Sequence, residues 1–463
     1  MIFHSRCLFV MIGLCLAGST LSAAEKLPNI VIFLADDLGY GDLGCYGNEI
    51  IKTPNLDAFA KQGLRLTQCY SASAVCSPSR SAILTGRTPY RNGVFTWIPE
   101  NRSPFLRTSE ITSARLSKEK GYATAHIGKW HLNGYFNQPN HPQPSDHGFE
   151  HWFSTQNNAA PSHKNPNNFV RNGEPVGDLT GFSAPLVADE AIRWLKEGRD
   201  KSKPFFLCVW THEPHLPIES DPQYQSLYEA IENPDIRQHH GNVTQLDAAF
   251  GKLMRALDEM QLSDETFVVF TADNGPEGNG DNGRTRGSTG GLRGRKRDVY
   301  EGGIRVPGIV RWPGKIKPGT TSDVPVIGSD LFPTVLAITG ASLPADRVID
   351  GGNLLPLVTE GKPVDRSRPL YWRCAIARSP MKTAMRIGDW KIVATEDLGR
   401  MELYDLKNDP REKTDLSTTN PAKFAEMKSA LEKLNAEIEA EGPKWWQGYQ
   451  HGGAPPARKT ASK

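Results

Sequence analysis

The sequence has no long hydrophobic run after its N-terminus, little net charge and few cysteines, and each absence excludes a class of protein. Among 463 residues the formal net charge is only +2. This balance argues against wholesale nucleic-acid binding, which usually needs a strongly basic domain. No later segment approaches the ~20 uninterrupted apolar residues that cross a bilayer. The sequence contains no internal repeat, and its length favours two unequal domains over one.

The first 24 residues have the pattern of a secretory signal peptide. His4 and Arg6 precede an apolar run over residues 7–17, and small residues follow at positions 22–24. A positive start, a short apolar stretch and small residues at the end are typical of a cleaved leader. We therefore expect an exported protein, periplasmic or secreted, with no membrane span in the mature chain.

Cysteine is scarce, and its count is odd once the leader is removed. Seven cysteines fall to five, which are Cys45, Cys69, Cys76, Cys208 and Cys374. An odd thiol in an exported protein points to a reactive or modified residue. If Cys76 is that residue, the other four either pair, in one of three connectivities, or remain buried free thiols.

Continuous apolar runs alternate with amphipathic helical patterns through most of the chain. The predicted strands are 29–35, 123–127, 205–210, 267–270 and 308–310. The predicted helices are 186–196 and 243–260. Uninterrupted apolar strands are typical of strands buried on both faces, and their alternation with helices indicates a parallel sheet. We predict an α/β fold, with a large, mixed, mostly parallel sheet sandwiched by helices.

The pattern changes near Pro363. Short β-like segments at 370–372 and 390–393 are followed by a charged amphipathic helix at 422–439. We predict a catalytic domain over 25–362 and a smaller antiparallel-sheet subdomain over 363–451. The Gly/Pro/Ala/Lys-rich segment 452–463 is predicted to be a disordered tail.

Two acidic or amide pairs follow predicted strands directly. Asp36 and Asp37 follow the first strand, and Asp273 and Asn274 follow a later one. Ligands of open α/β sheets gather outside the carboxyl ends of the strands. An isolated Asp-Asp pair is more simply a turn cap beside a solvated carboxylate, but two such strand ends make a hard-cation site plausible.

The segment Cys76-Ser77-Pro78-Ser79-Arg80, followed by Leu84-Thr85-Gly86-Arg87, is the most specific motif in the chain. Pro78 favours the first turn of a helix. Cys76 would then lie at a helix N-terminus, where free N–H groups favour an anion. The simpler alternative is a buried cysteine at a helix start.

A third motif, Gly128-Lys129-Trp130-His131, follows the predicted strand 123–127. In an extended backbone, Lys129 and His131 share a face. Taken alone, either residue would most simply be a surface side chain.

Together these motifs, in this order, resemble the type I, formylglycine-dependent sulfatases of the alkaline phosphatase superfamily, in the branch of arylsulfatase A and N-acetylgalactosamine-6-sulfatase. The resemblance implies that a formylglycine-generating or anaerobic sulfatase-maturating enzyme oxidises Cys76 to formylglycine. It also implies that Asp36, Asp37, Asp273 and Asn274, with residue 76, hold one Ca²⁺ ion, Mg²⁺ being possible.

The resemblance also implies roles for the remaining motif residues. Arg80 steadies the formylglycine, Lys129 and Lys296 hold the sulfate, and His131 is a base. His215 faces the oxygen that bridges to sulfur, with His212 as a competing candidate. One hydroxyl of the formylglycine hydrate then attacks sulfur, His215 or Lys296 protonates the leaving alcohol, and His131 or Asp36 deprotonates the second hydroxyl to expel sulfate.

The expected substrate is a sulfated carbohydrate, either a glycosaminoglycan or an algal polysaccharide. The alternatives are an arylsulfatase for small esters, a phosphatase or phosphodiesterase of the same superfamily, and a non-catalytic binder of sulfated polymers. A basic stretch could attract a polyanion or could be a solvated loop; it comprises Arg284, Arg286, Arg293, Arg295 and Arg297. Candidate sugar contacts in the polar segment 157–168 are His163, Lys164 and Asn168.

Overall fold

The computed structural model describes residues 27–278 and 287–442. The predicted signal peptide, the predicted tail, Arg284 and Arg286 lie outside these residues. The strands are β1 Asn29–Ala35, β2 Leu64–Leu66, β3 Cys69–Tyr70, β4 Ala123–Lys129, β5 His151–Thr155, β6 Val170–Arg171, β7 Glu174–Pro175, β8 Phe205–Trp210, β9 Thr266–Ala272, β10 Gly308–Arg311, β11 Thr320–Ser322, β12 Val326–Ile327, β13 Leu370–Arg373, β14 Met381–Ile387, β15 Trp390–Thr395 and β16 Met401–Asp405.

The α-helices lie mostly between these strands, as an α/β fold requires. They are α1 Pro54–Gln62, α2 Cys76–Thr85, α3 Pro89–Asn92, α4 Ser113–Glu119, α5 Ser183–Arg193, α6 Pro222–Gln225, α7 Pro234–Glu259, α8 Glu301–Ile304, α9 Leu331–Thr339, α10 Leu355–Glu360 and α11 Pro421–Glu441. A π-helical turn, Trp194–Gly198, continues α5. Helices α1, α5 and α7 pack together as one group, and α2, α4 and α9 form another.

A ten-stranded sheet forms the centre of the molecule, in the order β11-β2-β10-β9-β1-β8-β4-β5-β6-β7. Its five middle strands, β9, β1, β8, β4 and β5, are mutually parallel. Phe33 in β1 lies opposite Val209 in β8 and Phe270 in β9. All seven residues of β1 are buried, since helices cover both faces of the sheet. The predicted mostly parallel, mixed sheet is confirmed.

Antiparallel pairs flank the parallel middle of the sheet, although the outermost strand β11 pairs with β2 in parallel. Strand β10 runs antiparallel to both β9 and β2 on one side, and β6 and β7 continue antiparallel from β5 on the other. Because the middle strands are parallel, their carboxyl ends all lie along one edge of the sheet. That edge carries the motifs that the sequence analysis identified.

A separate four-stranded antiparallel sheet, β13-β14-β15-β16, follows, and α11 packs on it. Met385 and Ile392 of this sheet form a buried core with Met427 and Leu431 of α11. This confirms the predicted antiparallel C-terminal sheet. Strands β3 and β12 form a separate two-stranded sheet, and Trp372 Nε1 of β13 donates a hydrogen bond of 2.8 Å to the Ser71 carbonyl just after β3.

Several element bounds differ from the predicted ones for local reasons. Helix α7 begins at Pro234 rather than at residue 243, because the Asn233 side chain accepts hydrogen bonds from the first-turn amides and Pro234 suits the first turn. Strand β4 continues to Lys129 and so carries that side chain on its last residue. In the described part of the chain, no helix is long and apolar enough to cross a membrane. All five cysteines there are free thiols.

Candidate active site

The ends of β1 and β9 bring the two oxygen-bearing pairs side by side. Ala35 and Ala272 are register partners, so the residues that follow them meet at the sheet edge. The Asp37 amide donates to Asp273 Oδ1 over 3.2 Å, and Asn274 Nδ2 donates to Asp37 Oδ1 over 2.6 Å. Asp37 has a left-handed backbone, with φ of 63°, which turns the chain sharply after the strand.

Cys76 is the first residue of α2, as its place before Pro78 predicts. Its thiol donates to Asp36 Oδ1 over 3.6 Å and is 2 % exposed. Burial raises the pKa of this thiol strongly, and the charges of Lys129 and Lys296 offset the rise only in part. The unmodified side chain is therefore a neutral thiol at the helix N-terminus, not a thiolate nucleophile.

Lys129 and Arg80 pair with the carboxylates of Asp36 and Asp273. Lys129 Nζ donates to Asp36 Oδ2 over 2.5 Å, while Arg80 Nε and Nη2 donate to Asp273 Oδ2 over 3.0 and 2.7 Å. Arg80 Nη1 also donates to the Lys129 carbonyl, which fixes α2 to the end of β4. Burial raises the pKa of Asp36, but Lys129 and the neighbouring cations more than reverse this, so Asp36 is ionised.

Lys296 approaches Asp37 from the loop that precedes α8. Its Nζ lies 2.7 and 2.9 Å from the two carboxylate oxygens of Asp37 and 3.5 Å from Glu277. Burial raises the pKa of Asp37 to about 7; Lys296 opposes the rise, and the nearby carboxylates of Asp36 and Asp273 add to it. The carboxylates crowd one another here, and a divalent cation among them relieves that repulsion.

Two histidines complete the cluster. His131 Nε2 lies 3.0 Å from the Ile98 carbonyl, and His131 Nδ1 is buried without a hydrogen-bond partner. His215 Nε2 lies 3.6 Å from Asp37 Oδ2. Burial, reinforced by the nearby lysines, holds the pKa of both rings well below the usual value. Both are therefore neutral and available to accept a proton.

His212, the competitor of His215, occupies a different position. Its Nε2 hydrogen-bonds Thr155 Oγ1 over 2.8 Å, and its ring packs against Phe169. Of the two histidines, His215 therefore lies nearer the carboxylates of the cluster.

The donors present fit a divalent cation. Asp36, Asp37, Cys76 and His215 each offer one ligand atom, and these atoms all lie within 4.8 Å of one another. Asn274 Oδ1 is buried and has no hydrogen-bond partner, as expected of an oxygen that a cation would satisfy. Carboxylate and amide oxygens suit Ca²⁺ or Mg²⁺. This group differs from the predicted ligand set at two positions. Asp273 is hydrogen-bonded to Arg80, and His215, which was predicted to face the bridging oxygen, lies among the potential ligands.

The basic stretch does not form an open cationic mouth in its described part. Arg293 Nη1 donates to the Tyr404 hydroxyl and to the Glu412 carbonyl. Arg295 donates to the Glu277 carbonyl, and Arg297 pairs with the Glu277 carboxylate at 3.2 Å. These arginines hold the loop to the rest of the fold.

The three candidate sugar contacts in segment 157–168 lie in different environments. His163 is fully buried, 3.9 Å from Glu213 and hydrogen-bonded to Asn242, so its role as a sugar contact stays a prediction. Asn168 closes its own loop through the Ala160 amide and the Asn158 carbonyl. Lys164 remains exposed.

Two acidic residues near the site, Glu277 and Glu213, were not predicted from the sequence. Glu277 contacts Lys296 and also pairs with Arg297 and Arg378. Buried Glu213 accepts hydrogen bonds from the Ser183 hydroxyl and the Ala184 amide, which secures the start of α5 behind the site. The position of Glu213 just after β8 was an available signal, whereas nothing in the sequence links Glu277 to Arg378.

Comparison with known proteins agrees with this geometry. The Sulfatase family model matches residues 28–341, and the N-sulphoglucosamine sulphohydrolase C-terminal model matches residues 294–440. N-acetylgalactosamine-6-sulfatase of Rattus norvegicus is 35 % identical over 408 residues, covering 81 % of this chain and 72 % of the relative. Arylsulfatase A of Homo sapiens is 35 % identical over 380 residues, covering 73 % and 68 %. The crystal structure of Ps i-CgsB in complex with k-i-k-neocarrahexaose superposes with a TM-score of 0.80 at 27 % identity, covering 90 % of this chain and 94 % of the other.

The fold and the matches thus define a hydrolase of the α/β class, with Cys76 at a helix start beside buried carboxylates and lysines. The chain belongs to the sulfatase family and is a sulfuric ester hydrolase.

Proposed function

We propose that this enzyme removes sulfate from a sulfated carbohydrate, using a formylglycine derived from Cys76 and one bound Ca²⁺ ion. The observation that carries the proposal is the convergence of Cys76, two strand-end pairs and two lysines within one buried cluster. The Cys76 thiol and Lys129 both contact Asp36, and Lys296 contacts Asp37. These groups lie buried together at the carboxyl ends of the parallel strands, where ligands of α/β folds bind.

The oxygens of Asp36, Asp37, Asp273 and Asn274, with residue 76, would hold the cation. The unpartnered Asn274 Oδ1 supports this assignment. Bound there, the cation withdraws charge from sulfate oxygens, and the formylglycine hydrate supplies a hydroxyl nucleophile. Arg80 fixes α2, and with it residue 76, relative to Asp273, because it donates hydrogen bonds to Asp273 and to the carbonyl at the end of β4.

Lys129 and Lys296 bind the sulfate group. Both ammonium groups are buried against carboxylates, away from bulk water. Fixed cations in such a dry site stabilise developing negative charge more effectively than solvent does. The leaving oxygen must gain a proton, which the protonated Lys296 can donate; neutral His215, beside Asp37, can donate one only after it has first accepted a proton. His131, with a free Nδ1, accepts a proton at residue 76.

A carbohydrate substrate is supported by the similar proteins. The rat relative is named for an N-acetylgalactosamine sulfate, and Ps i-CgsB was crystallised with an oligosaccharide. A phosphatase or phosphodiesterase of the same superfamily commonly holds two metal ions. Within residues 27–278 and 287–442, only one group of His, Cys, Asp and Glu ligands has metal-binding geometry. We therefore retain the sulfate ester as the substrate class.

A maturation enzyme and a location follow from this proposal. Cys76 requires a formylglycine-generating or anaerobic sulfatase-maturating enzyme, which acts on the chain before the cysteine is buried in the fold. The leader-like first 24 residues place the mature enzyme in the periplasm or outside the cell.

The main test replaces Cys76 by alanine in a host that carries a maturation enzyme. We expect turnover of a sulfated oligosaccharide to be abolished, because alanine cannot supply a nucleophile. Cys45→Ala is the matched control, since Cys45 is a free thiol outside the cluster. Intact-mass measurement of the wild-type protein checks the modification, because an aldehyde weighs less than a thiol. Full sulfatase activity of Cys76→Ala would exclude the proposed nucleophile.

A second test concerns the cation and does not depend on turnover. Adding Ca²⁺ to metal-free protein at ~100 times its Kd stabilises the fold by ~2.7 kcal/mol, which raises the melting temperature. Asn274→Ala removes one oxygen ligand and should reduce this shift. A melting temperature that does not respond to Ca²⁺ or Mg²⁺ in the wild-type protein would contradict the proposed site.

A further inference from the structure

A cavity of about 450 Å³ lies between the end of the large sheet and the C-terminal sheet, and it shares no residue with the catalytic cluster. Its walls come from the segment before β12, the segment before β13 and the end of β14. Arg366, Arg368 and Arg386 line it together with apolar residues such as Val324, Leu370 and Ile387. The described lining contains three arginines and no carboxylate.

Arg386 is the central observation. Its side chain is only 1 % exposed, its Nε donates to the Gly388 carbonyl over 2.7 Å, and its Nη1 donates to the Tyr70 hydroxyl over 2.5 Å. Its Nη2 is buried without a hydrogen-bond partner. The nearest carboxylate, that of Asp389, is 3.8 Å away, beyond hydrogen-bond distance. A buried guanidinium donor left unpaired is unfavourable unless a ligand satisfies it.

The other two arginines are held in place but keep donors for a ligand. Arg366 is fixed by Asp330, to which its Nε donates over 3.3 Å. Arg368 Nη1 pairs with Glu437 at 2.7 Å, and no contact engages its other nitrogens in the described structure. Arg366 gives both Nε and Nη2 to Asp330, so the donors left for an oxyanion are Arg386 Nη2, Arg366 Nη1, and Nε and Nη2 of Arg368, which can donate two parallel hydrogen bonds.

We propose that this cavity is a second, non-catalytic binding site for the sulfate group of a sulfated saccharide. The volume accommodates one or two sugar units, and the apolar wall formed by Val324, Leu370 and Ile387 suits the faces of sugar rings. The choice of a saccharide rests on the proposed function, whereas the oxyanion site itself does not. Such a site would hold a neighbouring part of a polymer while another sulfate is cleaved.

The test uses full-length protein carrying Cys76→Ala, so that no probe is consumed. Isothermal titration measures the binding of inorganic sulfate, of a chondroitin sulfate hexasaccharide and of its chemically desulfated counterpart. Ile387→Glu introduces a carboxylate at a cavity-lining position that is 38 % exposed and removes no ion pair. Leu343→Glu, at a position 52 % exposed and outside the cavity lining, is the matched control.

We expect Ile387→Glu to weaken binding of the sulfated hexasaccharide by about 10-fold or more, because a like charge faces the sulfate. Arg368→Gln should weaken it by a smaller factor, and Leu343→Glu should leave it unchanged. Arg368→Gln also keeps the test valid if Ile387→Glu fails to fold. Equal binding of the desulfated hexasaccharide, or binding that neither cavity variant weakens, would overturn the proposal.

The two sources of a sulfate group are separated by the same titrations. If inorganic sulfate alone shows binding that depends on Ile387 and Arg368, the saccharide part of the proposal is wrong. Turnover of a small aryl sulfate by Ile387→Glu, with Cys76 intact, should match that of the wild-type enzyme. Loss of the proposed carbohydrate activity in the wild-type protein would leave the oxyanion result standing, so the two failures are distinguishable.

Discussion

Two buried charge clusters in this protein resemble each other in composition but differ in completeness. The strand-end cluster comprises Asp36, Asp37, Cys76, Arg80, Lys129, His131, His215, Asp273, Asn274 and Lys296. The sheet-junction cluster comprises Tyr70, Glu301, Arg305, Arg386, Lys391 and Glu412. Each combines carboxylates with cations in the interior, where unpaired charge is very costly.

In the sheet-junction cluster, both carboxylates are paired with Lys391, although Glu412 Oε1 and Arg386 Nη2 have no hydrogen-bond partner. Lys391 Nζ lies 2.9 Å from Glu301 and 2.8 Å from Glu412. The Glu301 amide donates to Glu412 Oε2 over 2.7 Å, and the Tyr70 hydroxyl donates to Glu301 Oε2 over 2.7 Å. These bonds join β15, α8 and β3. The cluster therefore holds the C-terminal sheet against the loop that carries Lys296.

The strand-end cluster leaves ligand atoms unused. Asn274 Oδ1 and His131 Nδ1 are buried without partners, and Asp37 has its pKa raised to about 7 by burial and by neighbouring carboxylates despite its contact with Lys296. Such incomplete pairing is typical of a site that a ligand completes. The difference teaches that buried charge alone does not identify an active site in this fold; what distinguishes the strand-end cluster is that its unsatisfied atoms, an amide oxygen and an imidazole nitrogen, lie beside several carboxylates that offer ligands to one cation.

The largest effect is expected at the sheet junction. Lys391→Met removes the cation shared by Glu301 and Glu412 and leaves two buried carboxylates without it, which should lower the free energy of unfolding by ~3–5 kcal/mol. Urea denaturation measures this change. Turnover per folded molecule should stay close to that of the wild type, because Lys391 contacts none of the proposed catalytic groups.

Lys362→Met is the control for that experiment, since Lys362 is exposed and pairs only with Glu360. A surface pair of this kind contributes ~0–1 kcal/mol. If Lys391→Met proves as stable as Lys362→Met, the sheet-junction cluster does not secure the two sheets, and the comparison fails.

The next effect concerns the strand-end cluster. Lys296→Met removes a buried ammonium from the proposed sulfate site, and we expect kcat/KM to fall by ~10²–10³-fold, the size of one lost charge-stabilising donor. Its effect on the free energy of unfolding should be smaller than that of Lys391→Met, since Asp37 can take up a proton when the lysine is absent. Steady-state kinetics and urea denaturation on the same preparation measure both quantities.

Lys315→Met serves as the matched control, because Lys315 is exposed and lies on a loop away from the cluster. Equal kcat/KM in Lys296→Met and Lys315→Met would show that Lys296 has no part in catalysis.

Much of the fold could be predicted from the sequence because of the way parallel strands are buried. The bounds of β1 and β8 were predicted correctly, since helices cover both faces of these strands and every residue except Asn29 is apolar. The two- and three-residue edge strands, such as β6 and β11, were missed. A strand of that length shows no periodicity, and its existence depends on a neighbour that is distant in sequence.

The same physical reason limits what could be predicted of the site. The pairs after β1 and β9 could be placed together because strand ends meet at one edge of the sheet. The contact of Lys391 with Glu301 spans 90 positions, and that of Arg378 with Glu277 spans 101. His163 lies in a polar segment that indicates a surface loop, yet Asn242 and Glu213 hold it inside. Local composition carries no information about such long-range partners.

The smallest predicted effect tests whether the sheet-junction cluster titrates. Burial raises the pKa of Glu412 to about 7, with Lys391 opposing the rise and Glu301 adding to it. A carboxyl whose pKa is higher in the folded protein than in the unfolded chain binds its proton more tightly when folded. Its contribution to stability is thus fully present below the unfolded pKa, near 4.5, and is lost as the pH rises through about 7.

Glu412→Gln fixes the neutral form at this position and should remove that pH dependence. The difference in unfolding free energy between the variant and the wild type should move in favour of the variant between pH 5 and 8, by up to ~1.4 kcal/mol per pH unit. Urea denaturation at several pH values measures it, and the subtraction cancels the titration of all other groups. A constant difference across this range would show that Glu412 stays ionised. The sheet-junction cluster would then bury two carboxylate charges beside Lys391, and its pairing would be no more complete than that of the strand-end cluster.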